Sequence, residues 1–387
     1  MKKTTKDISL HQYIYMLFLA SMIYNIVFIP GRIITIVGRD LWLAIVLYNL
    51  LDFFHLAVFY ICEKINPDLT IDQILEKSLG KIPAKIILII FAIYVYIRLT
   101  VMYHDFTLYA CDVVFSPNWR PIITPIILVS LYCVFKGIRS IARMTEILGP
   151  GIVFVMVLTM FGIITTSDLS NVLPILEYGF KPIVIAFYNF QFFAADYLCL
   201  FCILGRVKVE KNFGLNISLP LIASAVFTIL FSISYFGFYE NIAVFQKQGH
   251  SLIDMSQHLL GNENLARFDF ILSVIWMIAI LIRKIIYTWI LYQCIMVIFE
   301  LEEKPIIKYI VLGIIGIAVF FGYNYFNLNA AKVLEFINSG FKLIFIITMQ
   351  ILLPLSLPFL TYIASKQERK IQKNNMLFKK QLRTKNQ

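Results

Sequence analysis

The stretch AKIILIIFAIYVYIRLTVMYHDFTLYA, residues 84–110, decides the fold class of this chain. A helix crossing the hydrocarbon core of a bilayer needs roughly 20 mostly apolar residues. This run supplies them, with Lys85, Arg98, His104 and Asp105 as its interruptions. Nine further apolar runs flank it: Ser9–Ile29, Leu41–Cys62, Pro121–Phe135, Glu146–Thr165, Ile183–Leu204, Leu215–Tyr239, Arg267–Phe299, Pro305–Tyr323 and Val333–Ala364. Over 387 residues the chain is 60% hydrophobic and 15% charged, with mean hydropathy +0.80. A soluble globule runs nearer half apolar and a quarter charged. The chain therefore reads as an all-α integral membrane protein of about ten transmembrane helices. A soluble enzyme, a secreted disulfide scaffold and a disordered regulator do not fit.

Charge position sets the orientation. The net charge is +11, from 34 Lys and Arg. With the N-terminal tail, the C-terminal tail and the loops after even-numbered spans on one side, that side holds 23 of them. The other side holds seven (Arg32, Arg39, Arg120, Lys181, Lys247, Arg267, Lys332), and four lie within spans (Arg98, Arg283, Lys284, Lys342). Cytoplasmic loops carry such an excess, so both termini are expected in the cytoplasm. The basic residues form no nucleic-acid-binding face. The six cysteines lie in or beside apolar runs, so no extracellular disulfide framework is implied. Lys2, Lys3 and Lys6 precede an apolar run with no small-residue cleavage site, which reads as a first span rather than a cleaved signal.

Two loops are expected to carry helices of their own. Thr70 with Gln73 three residues later makes a capping box; Ile71, Ile74, Leu75 and Leu79 share one face, and Gly80 stops the helix. The outer loop from Gly249 to Gly261 repeats the device with Leu252, Ile253, Met255 and Leu259. His250, Asp254 and His258 at i, i+4, i+8 could ligate a metal, but on the polar face of an exposed helix that pattern is commonplace. Ten spans with a helix after span two and another after span seven suit two inverted five-span repeats, with a mid-membrane site between them.

The order and spacing of several short motifs resemble the B subunit of bacterial spore germinant receptors. That family is the endospore germination permease branch of the amino acid–polyamine–organocation transporter superfamily. The carrying residues are Ser9-Leu10-His11-Gln12, Arg39-Asp40-Leu41-Trp42, Pro67 with Leu69-Thr70 and Leu79-Gly80-Lys81, and Gly137 through Arg143 with Glu146. Leu173 through Gly179, Arg267-Phe268-Asp269 with Trp276, and Pro354 with Pro358 complete them. The resemblance implies a LeuT-like 5+5 fold over residues 1–365 with a basic cytoplasmic tail at 366–387. It also implies sensing of a small-molecule germinant beside A and C receptor subunits in the spore inner membrane, with no catalysis and no cofactor. An autonomous proton- or sodium-coupled amino-acid permease is the alternative, and an inert assembly scaffold a third. Relatives carry glycines where spans one and six unwind; here the stretches read Ala20 through Ile26 and Tyr188 through Phe193 without any. Either Asn25, Asn189 and Gln191 act as ligands in place of freed backbone groups, or the breaks are shallower. A bulkier or less polar ligand becomes admissible.

The fold that the resemblance implies places a ligand pocket between spans one, three, six and eight. Its candidates are Ser21, Tyr24, Asn25, Tyr94, Arg98, Tyr188, Asn189, Gln191, Ser273 and Trp276. Ionisable groups at mid-membrane are costly and usually functional. Asp52, Arg98, Asp196, Arg283 and Lys284 lie near their span midpoints, and each acid is expected to approach a base, Arg98 for one and Arg283 or Lys284 for the other. Two readings stand for this network: pairs that lock the bundle, or an Arg98 that holds a ligand carboxylate. The C-terminal tail, with eight bases and one acid, Glu368, suits anionic membrane lipid or docking to a partner subunit.

Overall fold

A computed structural model describes residues 7–114, 120–194, 197–209, 211–238, 268–329 and 340–385, with Lys332 and Glu335. These residues are almost wholly helical; their one β feature is an isolated parallel bridge between Ile8 and Val207. Among the described residues, eight helices are long and apolar enough to cross a membrane. They correspond to eight of the ten expected spans. Span four is a shorter apolar helix, Ile122–Lys136, and span six is divided.

Span one is α1 (Leu10–Val27) followed by α2 (Ile29–Val37). Of the two alternatives left by the glycine-free stretch, span one follows the shallower break: α1 runs through Ala20–Ile26, and the chain turns at Phe28. Pro30 explains the place. It has no N–H and its ring crowds the carbonyl four residues earlier, so a glycine-free helix breaks just before it. A 3₁₀ turn, Gly38–Asp40, leads into α3 (Leu41–Ile65). The short helix α4 (Ile71–Leu79) forms as expected, with the Thr70 N–H donating to Gln73 Oε1 at 3.4 Å and Gly80 ending it at φ +92°.

Next come α5 (Lys81–Val114), α6 (Arg120–Lys136) and α7 (Ile138–Thr166). Span six is α8 (Lys181–Ala194), then a 3₁₀ stretch from Tyr197 to Ile203. Beyond it lie α9 (Phe213–Phe238), α10 (Phe268–Ile298) and α11 (Pro305–Leu328). The chain closes with α12 (Gly340–Phe345), a π-helical stretch Ile346–Leu352, and α13 (Leu353–Lys385). The basic tail is the continuation of this last helix. The outer-loop helix expected at Gly249–Gly261, with His250, Asp254 and His258, lies outside the described residues.

The core is built around α5, which packs along α10, and α1, which packs along α9 and α7. α4 lies between α13 and the start of α5. Asn66 Nδ2 donates to Glu368 at 3.2 Å and Lys77 pairs with Glu368 at 3.3 Å. Exposed Ile147, Phe154, Phe161, Ile314, Phe321 and Phe359 mark the outer faces. In water such a rim would be prohibitive; against acyl chains it is ordinary.

Candidate ligand site

The polar centre starts on α5. Tyr94 and Arg98 are four residues apart and therefore stack on one helix face. Arg98 Nη1 donates to the Tyr94 hydroxyl at 3.0 Å. Its guanidinium carbon lies 5.6 Å from the Tyr94 ring centroid and 5.3 Å from that of Tyr287 on α10, and Arg283 lies 5.6 Å from the same Tyr287 ring. Guanidinium over aromatic faces is a favourable way to hold such charge away from water.

Gln350 completes this group from the π-helical stretch. Its Nε2 donates to the Tyr94 hydroxyl at 2.9 Å and to the Gln191 carbonyl at 3.3 Å. Its own carbonyl is 2.9 Å from His55 Nε2. A carbonyl only accepts, so that contact places a proton on Nε2. Pro354 accounts for the arrangement: a proline cannot donate to the carbonyl of residue i−4, here Gln350, and pushes it aside. The freed carbonyl turns to α3. Tyr94, Arg98, His55 and Gln350 are all buried, and together they join spans two, three, six and ten.

Other expected residues are placed elsewhere or only in part. The Ser21 hydroxyl pairs with Ser224 on α9 at 2.8 Å, next to a seam in which Asn49 donates to Thr228 at 3.1 Å. Asn25 is fully buried, and neither amide atom has a hydrogen-bond partner among the described residues. Ser273 stands beside the Tyr109 hydroxyl, and Trp276 is buried in the core. Gln191 is buried and contributes its carbonyl, Asn189 is half-buried, and Tyr188 is 39% exposed. The Tyr24 side chain and Asp196 lie outside the described residues.

Asp52 is fully buried one turn before His55, whose ring is within electrostatic reach of Arg98. Lys284 is also fully buried. Its Nζ sits 3.5 Å from the Phe106 ring centroid and 5.7 Å from Tyr103, with no hydrogen-bond partner among the described residues. The acid whose charge reaches it is Asp105, which is held by Arg32 of α2 at 2.5 Å.

Both ends of the bundle are bridged. At the end carrying the N-terminus, Ile8 N–H donates to the Arg206 carbonyl at 3.2 Å and Lys208 N–H returns to Ile8 at 3.1 Å. Gly205 N–H donates to Glu63 Oε1 at 2.9 Å. Arg206 donates to Gln293 at 2.9 Å and lies 5.4 Å from the Trp289 ring. Gly205 has φ +74°, and a Cβ there would fall 2.8 Å from the Leu69 backbone. At the opposite end Arg32 holds Asp105, Arg39 donates to the Leu173 carbonyl, and Leu176 N–H donates to Asp40 at 2.8 Å. Gln350, His55 and Arg32 were absent from the candidates. The signal for Gln350 was its place four residues before a proline in an apolar run; His55 stands out in the sequence only for its nearness to Asp52, and nothing there links it to Gln350 or links Arg32 to Asp105.

The likeness to known proteins agrees with this geometry. A family model described as "Spore germination protein" matches residues 7–331. Among solved structures, Mhp1, a nucleobase-cation-symport-1 family transporter in a closed conformation with bromovinylhydantoin bound, superposes with TM-score 0.61. The identity is 11%, over 84% of this chain and 74% of that one. At that identity the likeness shows the fold alone, a LeuT-like helical transporter fold. A comparison with curated proteins finds no significant match.

Proposed function

The chain belongs to the spore germination protein family, and from that premise we propose that it is a transporter-like subunit that senses a small-molecule germinant, an amino acid or similar. It acts beside A and C receptor subunits in the spore inner membrane, with both termini on the core side. The ligand sits against Tyr94 and Arg98 on span three, near Gln191 and the neighbouring candidates of spans one, six and eight. Its arrival competes for the hydrogen bonds that Gln350 makes. The observation that carries this reading is the buried Tyr94–Arg98–Gln350–His55 group. It ties a mid-membrane polar centre to the helix that leaves the membrane as the C-terminal tail.

The test is germination of spores carrying Tyr94→Phe, Arg98→Lys or Gln350→Glu, each at wild-type membrane abundance. The germinant concentration for half-maximal response should rise severalfold in each. Unchanged responses in all three would place the ligand elsewhere. The transporter fold favours a second reading, an autonomous proton- or sodium-coupled amino-acid permease. Uptake of labelled amino acid by vesicles containing this chain alone, driven by an imposed ion gradient, would support it over the first.

A further inference from the structure

A cleft of about 270 Å³ opens at the N-terminal end of the bundle, lined by Asp7, Ser9, Gln12, Arg139, Arg143 and Lys208. Three cations face one acid, and that acid is taken by Arg139. Arg143 and Lys208 are exposed; Glu146, one turn along α7, lies within electrostatic reach of Arg143. Ser9 and Gln12 cap the start of α1 by exchanging hydrogen bonds at 3.2 Å. Gln12 is held in turn by Glu146 at 2.9 Å, so the wall of the cleft is built rather than loose. The cleft stands where the helices of spans one and five begin, at Leu10 and Ile138, and the apolar lengths of both helices run away from it.

The face of α7 below it continues the pattern. Residues 143, 147, 154, 158 and 161 follow one another at three-, four- and seven-residue steps, so they form one stripe. Beyond Arg143 the stripe is Ile147, Phe154, Leu158 and Phe161, exposed by 76%, 68%, 44% and 71%. A cationic pocket at the end of an unpartnered apolar stripe matches an amphiphile with an anionic head and acyl tails. Neither an acidic peptide nor a free anion would use both parts.

We propose that this cleft binds an anionic phospholipid, its phosphate between Arg143 and Lys208 and its acyl chains along α7. Because Ser9 and Lys208 flank the Ile8–Val207 bridge, a lipid seated there holds that end of the bundle closed. The assignment is independent of what germinant, if any, the central site takes.

The full-length chain in detergent is titrated with phosphatidylglycerol and with phosphatidylcholine, and retained lipid is read by native mass spectrometry. The wild type should retain phosphatidylglycerol preferentially. Each basic residue near an anionic surface contributes a factor of about five, so Arg143→Gln with Lys208→Gln should weaken retention by about thirtyfold. Lys304→Gln, at an exposed base outside the cleft, should leave it unchanged. If the double variant loses its melting transition in phosphatidylcholine, the single variants are measured, each expected about fivefold weaker. Undiminished phosphatidylglycerol retention in these variants overturns the proposal. So does equal competition by inorganic phosphate, which would make the site one for free anions. Tighter binding of a polyglutamate peptide than of the lipid would make it a protein-docking surface, and the proposal fails then too.

Discussion

Pro354 cannot donate a backbone hydrogen bond, and the consequence is chemical as well as geometric: the Gln350 carbonyl reaches His55 while its side chain reaches Tyr94 and the Gln191 carbonyl. Replacing Gln350 by Leu removes two of these bonds and leaves a buried carbonyl unsatisfied. The expected loss is about 1–3 kcal/mol, read as a lower melting midpoint of the purified protein, with Gln350→Glu less affected because one oxygen can still accept from Tyr94. The buried charges give a second expectation. If Asp52 is the counter-charge of Arg98, Asp52→Asn alone costs about 3–5 kcal/mol and the double change with Arg98→Gln recovers most of it. Melting midpoints of the two single variants and the double variant form the cycle; additive losses would show that the two groups are not a pair. A folded double variant that still responds to germinant identifies a structural pair, and one that folds without responding assigns Arg98 to the ligand.

Elements are joined at positions where one residue type alone fits. Gly205 turns the chain from the 3₁₀ stretch of span six toward the Ile8 bridge, with φ +74° and the Leu69 backbone where a Cβ would go. Left-handed backbone costs an L-residue roughly 1–2 kcal/mol, and the contact at 2.8 Å adds to it. Gly205→Ala should therefore lower the melting midpoint and loosen the N-terminal end, detected as faster amide exchange at Ile8 and Lys208. Exchange as slow as in the wild type would show that the bridge does not depend on this turn. The last helix behaves differently. At 1.5 Å per residue the 33 residues of α13 span about 50 Å, more than the roughly 30 Å hydrocarbon core. The basic tail thus continues the helix of its span, with Pro358 inside it.

For the molecule as a whole, the start of α5 is tied to the loop between α10 and α11. Lys81 Nζ lies 2.8 Å from Glu300 Oε1, and Lys85 closes on the same carboxylate. Hydrogen bonds from Lys81 and then Lys85 hold the Glu300 carboxyl down from 4.5 to about 2. Its folded value is depressed, so its contribution to stability is complete above pH 4.5 and is lost as pH falls toward 2. Melting midpoints measured across that window should fall more steeply for the wild type than for Glu300→Gln, and high salt should reduce the difference because the groups are exposed. Parallel pH profiles would mean the tie contributes nothing. Orientation has its own test: reporter fusions at both ends should be active only on the cytoplasmic face.

The sequence by itself determined the membrane class, the order of the apolar spans and the α4 helix with its cap, because each rests on local composition, period or capping chemistry, while the transporter-like fold was implied by a resemblance carried in the order and spacing of short motifs. It also singled out Tyr94 and Arg98, one turn apart on one helix face, and the structure brings them into contact. It left open whether span one unwinds over its glycine-free stretch. The glycine-free run from Ala20 to Ile26 stays helical, and Pro30 moves the turn to Phe28. Only the tertiary structure decided which side chains meet. Gln350 is 256 residues from Tyr94 and His55 is 295 from Gln350. Arg32 claims Asp105, and Ser21 turns toward α9 instead of α5. Hydropathy says that a residue is within the bilayer and roughly how deep. Which way it faces around the helix, and which partner satisfies it, depends on how helices distant in sequence pack together.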